Sequence, residues 1–238
     1  MRPGVVAALL SASLLVLGAA PPGGSGPRPL PARMADTGGG TQLITAVAPG
    51  TGSTEGRVTW WDRRGGAGGR WVAAGSAPAR FGAGGLTDGA TREQGTSTTP
   101  TGLYDLPYAF GIEPAPRGTE YRYRPVRQDS WWCQDNASRA YNRWTEPRPA
   151  DCRATEAEHL ITYTAQYAHA LVVGFNYHRP VRGRGAGIFL HVDGRGATAG
   201  CVSVPREAMR RILRWAEPGR RPHIAIGTRD GATAITRY

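Results

Sequence analysis

Residues 185–204 read Gly-Ala-Gly-Ile-Phe-Leu-His-Val-Asp-Gly-Arg-Gly-Ala-Thr-Ala-Gly-Cys-Val-Ser-Val and carry the strongest structural and chemical signal in the chain. A short apolar run ends in His191, a glycine-rich turn follows, and Cys201 opens a second apolar run. Runs of this kind, bounded by glycines, are typical of short β-strands. We therefore expect the chain to fold back at the turn and to place His191 beside Cys201.

A thiol beside an imidazole is the minimum apparatus for covalent acyl transfer. A free cysteine has a pKa of about 8.5, so an imidazole that accepts the thiol proton makes it a nucleophile. Gly200 lets an acyl group approach the backbone, and the N–H groups of Gly200 and Cys201 are candidate donors to an oxyanion. The alternative is structural, because a lone cysteine in a strand is commonly a small buried hydrophobe.

The same stretch resembles the catalytic domain of the bacterial L,D-transpeptidase family. That family has a histidine at a strand end, a variable loop and then Ser/Thr-x-Gly-Cys, which correspond here to His191 and to Thr-Ala-Gly-Cys at 198–201. Residues 95–104 are similar to the family's Thr-Pro-x-Gly segment. Further similarities to one secreted branch run in order through the chain, at 109–111, 141–142, 158–160 and 174–176.

The resemblance implies an exported enzyme that cross-links peptidoglycan stem peptides through a thioester at Cys201, with His191 moving protons and no cofactor. Two alternatives keep the same residues or fold: an L,D-carboxypeptidase or other wall peptide hydrolase, and a non-catalytic wall-binding module. A papain-like peptidase is disfavoured, because that family places its cysteine before its histidine.

Many L,D-transpeptidases have a second histidine before Gly-Cys and an Arg or Asn after it. Here Ala199 and Ser203 stand there, which leaves substrate preference open.

Candidate substrate-binding residues are Thr198, within the Thr-Ala-Gly-Cys segment, and Arg184, in the basic loop before the histidine strand. An arginine there can receive the carboxylate that ends a stem peptide. The alternative for Arg184 is an ordinary solvated loop.

The fold we expect is mainly β: a curved sheet or sandwich with one main helix after the Cys201 strand. Met209, Ile212, Leu213 and Ala216 recur at helical spacing and are followed by Pro218-Gly219, which predicts that helix. A shorter helix is expected at 156–168. Predicted strands lie at 43–48, 57–63, 71–73, 170–175, 223–226 and 232–236.

The chain has 238 residues, and its start has the pattern of a secretory signal peptide, with Arg2 before the apolar run 5–17. We divide it into a signal peptide at 1–20, a flexible Pro/Gly-rich leader at 21–40 and a catalytic domain at 41–238. This division predicts a cell-wall or extracytoplasmic location. Membrane contact is expected only through the signal segment, for which an uncleaved anchor is the alternative.

The net charge of +11, carried entirely by arginine, favours binding to anionic wall polymers. Apart from the short Tyr-Arg-Tyr-Arg run at 121–124, we find no stripe of basic residues interleaved with aromatic residues and no recognised binding motif, so a nucleic-acid partner is not expected. The remaining histidines lack metal-ligand spacing, and no metal site is assigned.

Three cysteines in an exported chain leave one unpaired. Cys133 and Cys152 lie in a tryptophan-rich region, and either of them paired with Cys201 would remove the nucleophile. We therefore expect a Cys133–Cys152 disulfide and a free thiol at Cys201.

Overall fold

The computed structural model describes Met1 and residues 28–235. The predicted signal peptide, apart from Met1, and the first part of the leader lie outside the described residues. Among the residues that are described, no helix is both long enough and apolar enough to cross a bilayer.

Strands dominate the described chain, and one α-helix, α1 (Arg206–Trp215), follows the Cys201 segment. This confirms the mainly β fold with one main helix. The strands in chain order are β1 (Gln42–Ala48), β2 (Glu55–Arg64), β3 (Arg70–Arg80), β4 (Leu86–Asp88), β5 (Thr99–Asp105), β6 (Ala109–Gly111), β7 (Tyr123–Pro125), β8 (Trp131–Cys133), β9 (Arg143–Thr145), β10 (Ala157–His159), β11 (Ala170–Val172), β12 (Phe189–Val192), β13 (Val202–Val204) and β14 (His223–Thr228).

Eleven of these strands form one mixed sheet in the order β4-β5-β14-β1-β2-β3-β13-β12-β11-β6-β7. β1 lies inside it, parallel to β14 and antiparallel to β2. The glycine-rich turn after Arg64 joins β2 to β3, and Gly65 there has φ +89°, which favours glycine. β3 is longer than predicted because it pairs with β2 along its whole length, and this pairing carries the strand as far as Arg80.

β12, which contains His191, and β13, which begins directly after Cys201, are parallel. His191 in β12 pairs with Ser203 in β13, and Leu190 pairs with Val202. The connecting loop therefore carries the chain back to the start of β12, where a tight fold-back would have produced an antiparallel pair. Arg80 stabilises this loop, because its Nη1 donates hydrogen bonds to the carbonyl oxygens of Gly194 and Gly196 at 3.2 and 3.3 Å.

The two faces of β12 and β13 pack against different clusters. On one face, Leu190, Val192, Val202 and Val204 join the core that contains the buried side of α1. On the other face, Phe189 and Cys201 join an aromatic cluster of buried residues: Tyr108, Phe110, Trp132, Trp144 and Tyr167. The alternation of side chains along a strand thus assigns the thiol to the face opposite the helix.

The helix α1 begins after Pro205 and ends at Trp215, with Ala216 as its C-cap residue. Ala208, Met209, Ile212 and Leu213 form its buried side, as the spacing predicts. Apolar burial on this side holds α1 against the strand that follows Cys201.

A separate three-stranded sheet, β10-β8-β9, contains the disulfide that the sequence led us to expect. Cys133 in β8 is bonded to Cys152, their Cα atoms are 6.2 Å apart, and both side chains are fully buried. Cys201 is the free cysteine.

Two predicted elements are wrong. Residues 156–168 do not form a helix: Ala157–His159 is strand β10, paired with β8, and 3-10 turns follow. The backbone hydrogen bonds made beside the disulfide outweigh the weak local helix preference. The last predicted strand, at 232–236, is a 3-10 turn at Ala232–Ala234 within the described residues. Ala232 and Ile235 belong to a third cluster of buried apolar residues, which also contains Leu43, Trp71, Leu103 and Ala225.

Candidate active site

The Cys201 sulfur is held by two backbone groups of the segment before and within β12. Its Sγ accepts a hydrogen bond from the Phe189 N–H at 3.3 Å, and its S–H donates to the Gly187 carbonyl at 3.4 Å. Cys201 is 8% exposed. Burial, reinforced by the Glu158 carboxyl, raises the pKa of the thiol to about 12, while the Phe189 N–H and Arg92 oppose that shift. The resting side chain is therefore a neutral thiol at neutral pH.

His191 is oriented by a backbone carbonyl. Its Nδ1 lies 2.8 Å from the Val192 oxygen. A carbonyl only accepts, so the proton is on Nδ1, and Nε2 has its lone pair free to act as a base. Burial lowers the pKa of His191, with Val192 and Asp193 acting in the opposite direction. The imidazole is therefore neutral at neutral pH.

Cys201 and His191 lie on the same face of the sheet but not directly opposite each other. The parallel register sets Ser203 across from His191, and Cys201 two residues earlier lies beside Phe189. In the part of the chain that the structure describes, no hydrogen bond joins the thiol to the imidazole. Proton transfer thus requires the S–H to turn away from the Gly187 carbonyl.

Thr198 stabilises the turn that presents the thiol. Its hydroxyl donates to the Cys201 carbonyl at 2.7 Å and accepts from the Gly200 N–H at 3.1 Å. Thr99, in the Thr-Pro segment, donates to the same carbonyl at 3.3 Å. The structure thus places Thr198 within the turn, and the Gly200 N–H that we expected at the oxyanion is engaged with Thr198.

Sequence reasoning assigned no role to Glu158 and Tyr167, which lie beside the thiol. Gln134 Nε2 donates to one Glu158 oxygen at 2.6 Å, and the Tyr167 hydroxyl donates to the other. Burial raises the pKa of Glu158, and these two hydrogen bonds partly offset the shift. The Tyr167 ring also meets His191, with 5.6 Å between ring centroids. The similarity at 158–160 was the one sequence signal that included Glu158.

Arg92 is a third residue that the sequence did not single out. It comes from a polar loop, yet it is only 5% exposed. Its Nε donates to the Thr98 carbonyl at 2.7 Å, and its Nη1 donates to the Arg184 carbonyl at 3.0 Å. The charge of Arg92 lowers the pKa of the nearby Cys201 thiol.

Arg184 is placed elsewhere. It borders a cavity of about 240 Å³ together with Tyr104, Tyr177 and His178, and neither Cys201 nor His191 is among the residues that line it. The structure therefore does not bring Arg184 and the thiol into one cavity. Within residues 28–235, no three His, Cys, Asp or Glu side chains are grouped so as to hold a metal ion.

A free thiol and an oriented neutral imidazole on one face of a mixed sheet define a candidate cysteine-nucleophile site on a β-fold. The model of the YkuD family, the L,D-transpeptidase catalytic domain, matches residues 52–224 of the chain. The chain belongs to this family. The matched span contains both candidate catalytic residues, while β1 lies before it and still occupies an internal position in the sheet. A comparison with curated proteins finds no match to the chain.

Proposed function

We propose that the protein is an exported peptidoglycan L,D-transpeptidase that uses Cys201 as nucleophile and His191 as general base and acid. One observation carries the proposal: the free cysteine shares a sheet face with a histidine whose Nε2 is available as a base. The other two cysteines, Cys133 and Cys152, are joined to each other, so Cys201 is the thiol that remains.

In the first half-reaction, the Cys201 proton passes to His191 Nε2. The sulfur attacks the carbonyl that links the diamino acid of the donor stem to its terminal D-alanine. His191 returns the proton to the D-alanine amine as the carbon–nitrogen bond breaks, which leaves a thioester.

In the second half-reaction, the amine of a neighbouring stem attacks the thioester carbonyl. His191 takes a proton from that amine and passes it to the departing Cys201 sulfur. The Val192 carbonyl stabilises the imidazolium that exists in each step, because it accepts the hydrogen bond from Nδ1. The N–H of Cys201 is the proposed oxyanion donor, since that of Gly200 is bonded to Thr198.

The neutral resting pair supports general-base activation during the reaction. A thiol whose pKa is raised and an imidazole whose pKa is lowered do not form an ion pair before substrate arrives. A thiolate then exists only in the substrate complex, so the resting sulfur is less open to oxidation.

Product analysis tests the reaction. We expect purified protein and disaccharide-tetrapeptide to yield a cross-linked dimer by mass spectrometry, and Cys201→Ser to yield none. A trimmed tripeptide in place of the dimer would identify a carboxypeptidase. Neither product, together with cell-wall binding that Cys201→Ala leaves unchanged, would identify a wall-binding module and overturn the enzymatic proposal.

Export and wall binding are separate parts of the proposal. The pattern at 1–20 supports export, which N-terminal sequencing of secreted protein tests by locating the cleavage site. The net charge of +11 supports attraction to anionic wall polymers. We expect co-sedimentation with such polymers to weaken as salt is raised, because salt screens surface charge.

A further inference from the structure

The Arg92 guanidinium is a buried cation without an acidic partner. Across residues 28–235, no Asp or Glu forms an ion pair with it. Two of its nitrogens donate to backbone carbonyls, of Thr98 and Arg184, and its Cζ lies 5.6 Å from the centroid of the Phe175 ring. These contacts hold the guanidinium in place without cancelling its charge.

The third nitrogen of Arg92 points at the nucleophile's own turn. A Cβ added to Gly200 would lie 2.9 Å from Arg92 Nη2, and Gly200 immediately precedes Cys201. Gly200 has φ +134°, a conformation that favours glycine. Within the described residues, Nη2 has no hydrogen-bond acceptor of its own. The absence of a side chain at Gly200 is thus what lets the cation approach the turn this closely.

An unpaired charge in the interior is costly, and proteins retain one chiefly where function uses it. The ionisable groups whose charges act on the Cys201 sulfur are the carboxyl of Glu158, the hydroxyls of Tyr163 and Tyr167, and Arg92. Arg92 is the permanent cation among them. An anion that forms at the sulfur during the reaction would therefore be its counter-charge.

We propose that Arg92 is a positioning residue that acts through Cys201: its buried charge stabilises the thiolate that remains when the proton passes to His191 Nε2. Arg92 stays protonated throughout and acts through the sulfur. The proposal rests on the proposed function only in taking Cys201 as the nucleophile. Limited solvent screening in the interior makes this charge more effective than one at the surface.

Alkylation of Cys201 tests the proposal without any wall substrate. Iodoacetamide is neutral and iodoacetate is an anion of similar size, and both react with the thiolate. We expect Arg92→Gln to lower the iodoacetamide rate at pH 8 about tenfold, because loss of a neighbouring cation raises a thiol pKa. It should lower the iodoacetate rate further, since the local positive potential is also lost.

Two further variants separate charge from structure. Arg92→Lys keeps the cation and should retain most of both rates. Arg182→Gln removes an exposed positive charge from the loop and should leave both rates unchanged. Equal losses in Arg92→Gln and Arg92→Lys, or an unchanged ratio of iodoacetate to iodoacetamide rates in Arg92→Gln, would assign Arg92 a structural role and overturn the proposal.

The wild-type protein provides a measurement that does not depend on whether the variants fold. The ratio of iodoacetate to iodoacetamide rates should be severalfold higher for native protein than for protein unfolded in urea. A native ratio at or below the unfolded one would also overturn the proposal. Failure to form cross-links would count against the transpeptidase alone, because alkylation reports only on the thiol and its surroundings.

Discussion

The sulfur of Cys201 accepts a hydrogen bond from the backbone N–H of Phe189, 3.3 Å away. Phe189 begins the strand that carries His191, so the proposed nucleophile is hydrogen-bonded to the same strand as its proposed base. The parallel pairing of His191 with Ser203 sets the spacing between the two groups. Changes in the turn before Cys201 should therefore affect catalysis more than changes on the outer strands.

Gly200→Ala tests how closely Arg92 and Thr98 pack against the turn before Cys201. Its Cβ would lie 2.9 Å from both Arg92 Nη2 and the Thr98 carbonyl oxygen, and φ at this residue is +134°. We expect a loss of about 1–3 kcal/mol in the free energy of unfolding, measured by urea denaturation. Gly52→Ala is the control, because nothing lies within 4 Å of its Cβ position. Equal effects of the two substitutions would contradict the packing at Gly200.

Thr198→Val tests the turn that presents the thiol. Valine has nearly the same shape but cannot bond the Cys201 carbonyl or the Gly200 N–H, as Thr198 does at 2.7 and 3.1 Å. A small displacement of the nucleophile reduces the rate steeply, so we expect thioester formation to slow by about a hundredfold. Intact-protein mass spectrometry over time measures this rate. Thr198→Ser keeps the hydroxyl and should stay close to wild type; a valine variant as fast as wild type would refute this role.

The pH dependence of stability tests the burial of His191. Burial lowers the pKa of His191 below the ordinary value of about 6.5. At a pH between the lowered pKa of the folded protein and the ordinary pKa of the unfolded chain, the unfolded chain binds a proton that the folded protein does not. The free energy of unfolding therefore falls as pH decreases. The contribution is fully present above about pH 6.5 and is lost as pH falls through the folded value.

We therefore expect wild type to lose more stability than His191→Gln when urea denaturation at pH 7.5 is compared with pH 5. The pKa of His169 is also lowered by burial, so His169→Gln should reduce the loss in the same way. Identical losses in wild type and His191→Gln would mean that His191 binds its proton equally well in the folded and the unfolded protein. Burial would then not lower the pKa of His191, which contradicts this prediction.

Removing the disulfide tests how much it contributes to the free energy of unfolding, through the three-stranded sheet β10-β8-β9. Cys133 and Cys152 are fully buried and close a loop through β9, next to Trp132 and Trp144. Replacing both by serine should cost about 3 kcal/mol, because the bond restricts the unfolded chain. Tryptophan fluorescence during urea denaturation measures the loss. Cys201→Ser, which leaves the disulfide intact, should stay within about 1 kcal/mol of wild type.

Much of the fold is predictable because its signals are local. The apolar side of α1 follows from helical spacing, and the strands near Leu43 and Val58 follow from short apolar or alternating runs. The disulfide was expected from an odd cysteine count and the need for a free thiol. The local pattern already suggested that His191 and Cys201 lie together, and the family resemblance added the reaction that such a pair would perform.

The errors arise where distant segments compete with local preference. Residues 156–168 have some helical character, but pairing of Ala157–His159 with Trp131–Cys133 beside the disulfide satisfies their backbone better. The loop between His191 and Cys201 was expected to turn the chain back on itself, whereas β13 enters the sheet between β12 and β3 and runs parallel to β12.

The order of residues along the chain was enough to propose Cys201 as nucleophile and His191 as base, and to predict the free thiol and the mainly β fold that the structure shows, because each depends on residue type and near-neighbour spacing. The cation behind Gly200 and the Glu158–Tyr167 pair emerged only from the folded chain. Arg92 and Cys201 are more than a hundred residues apart in sequence. Whether such a charge is solvated or buried beside a sulfur depends on how the sheet brings the two segments together, and local pattern carries no information about that.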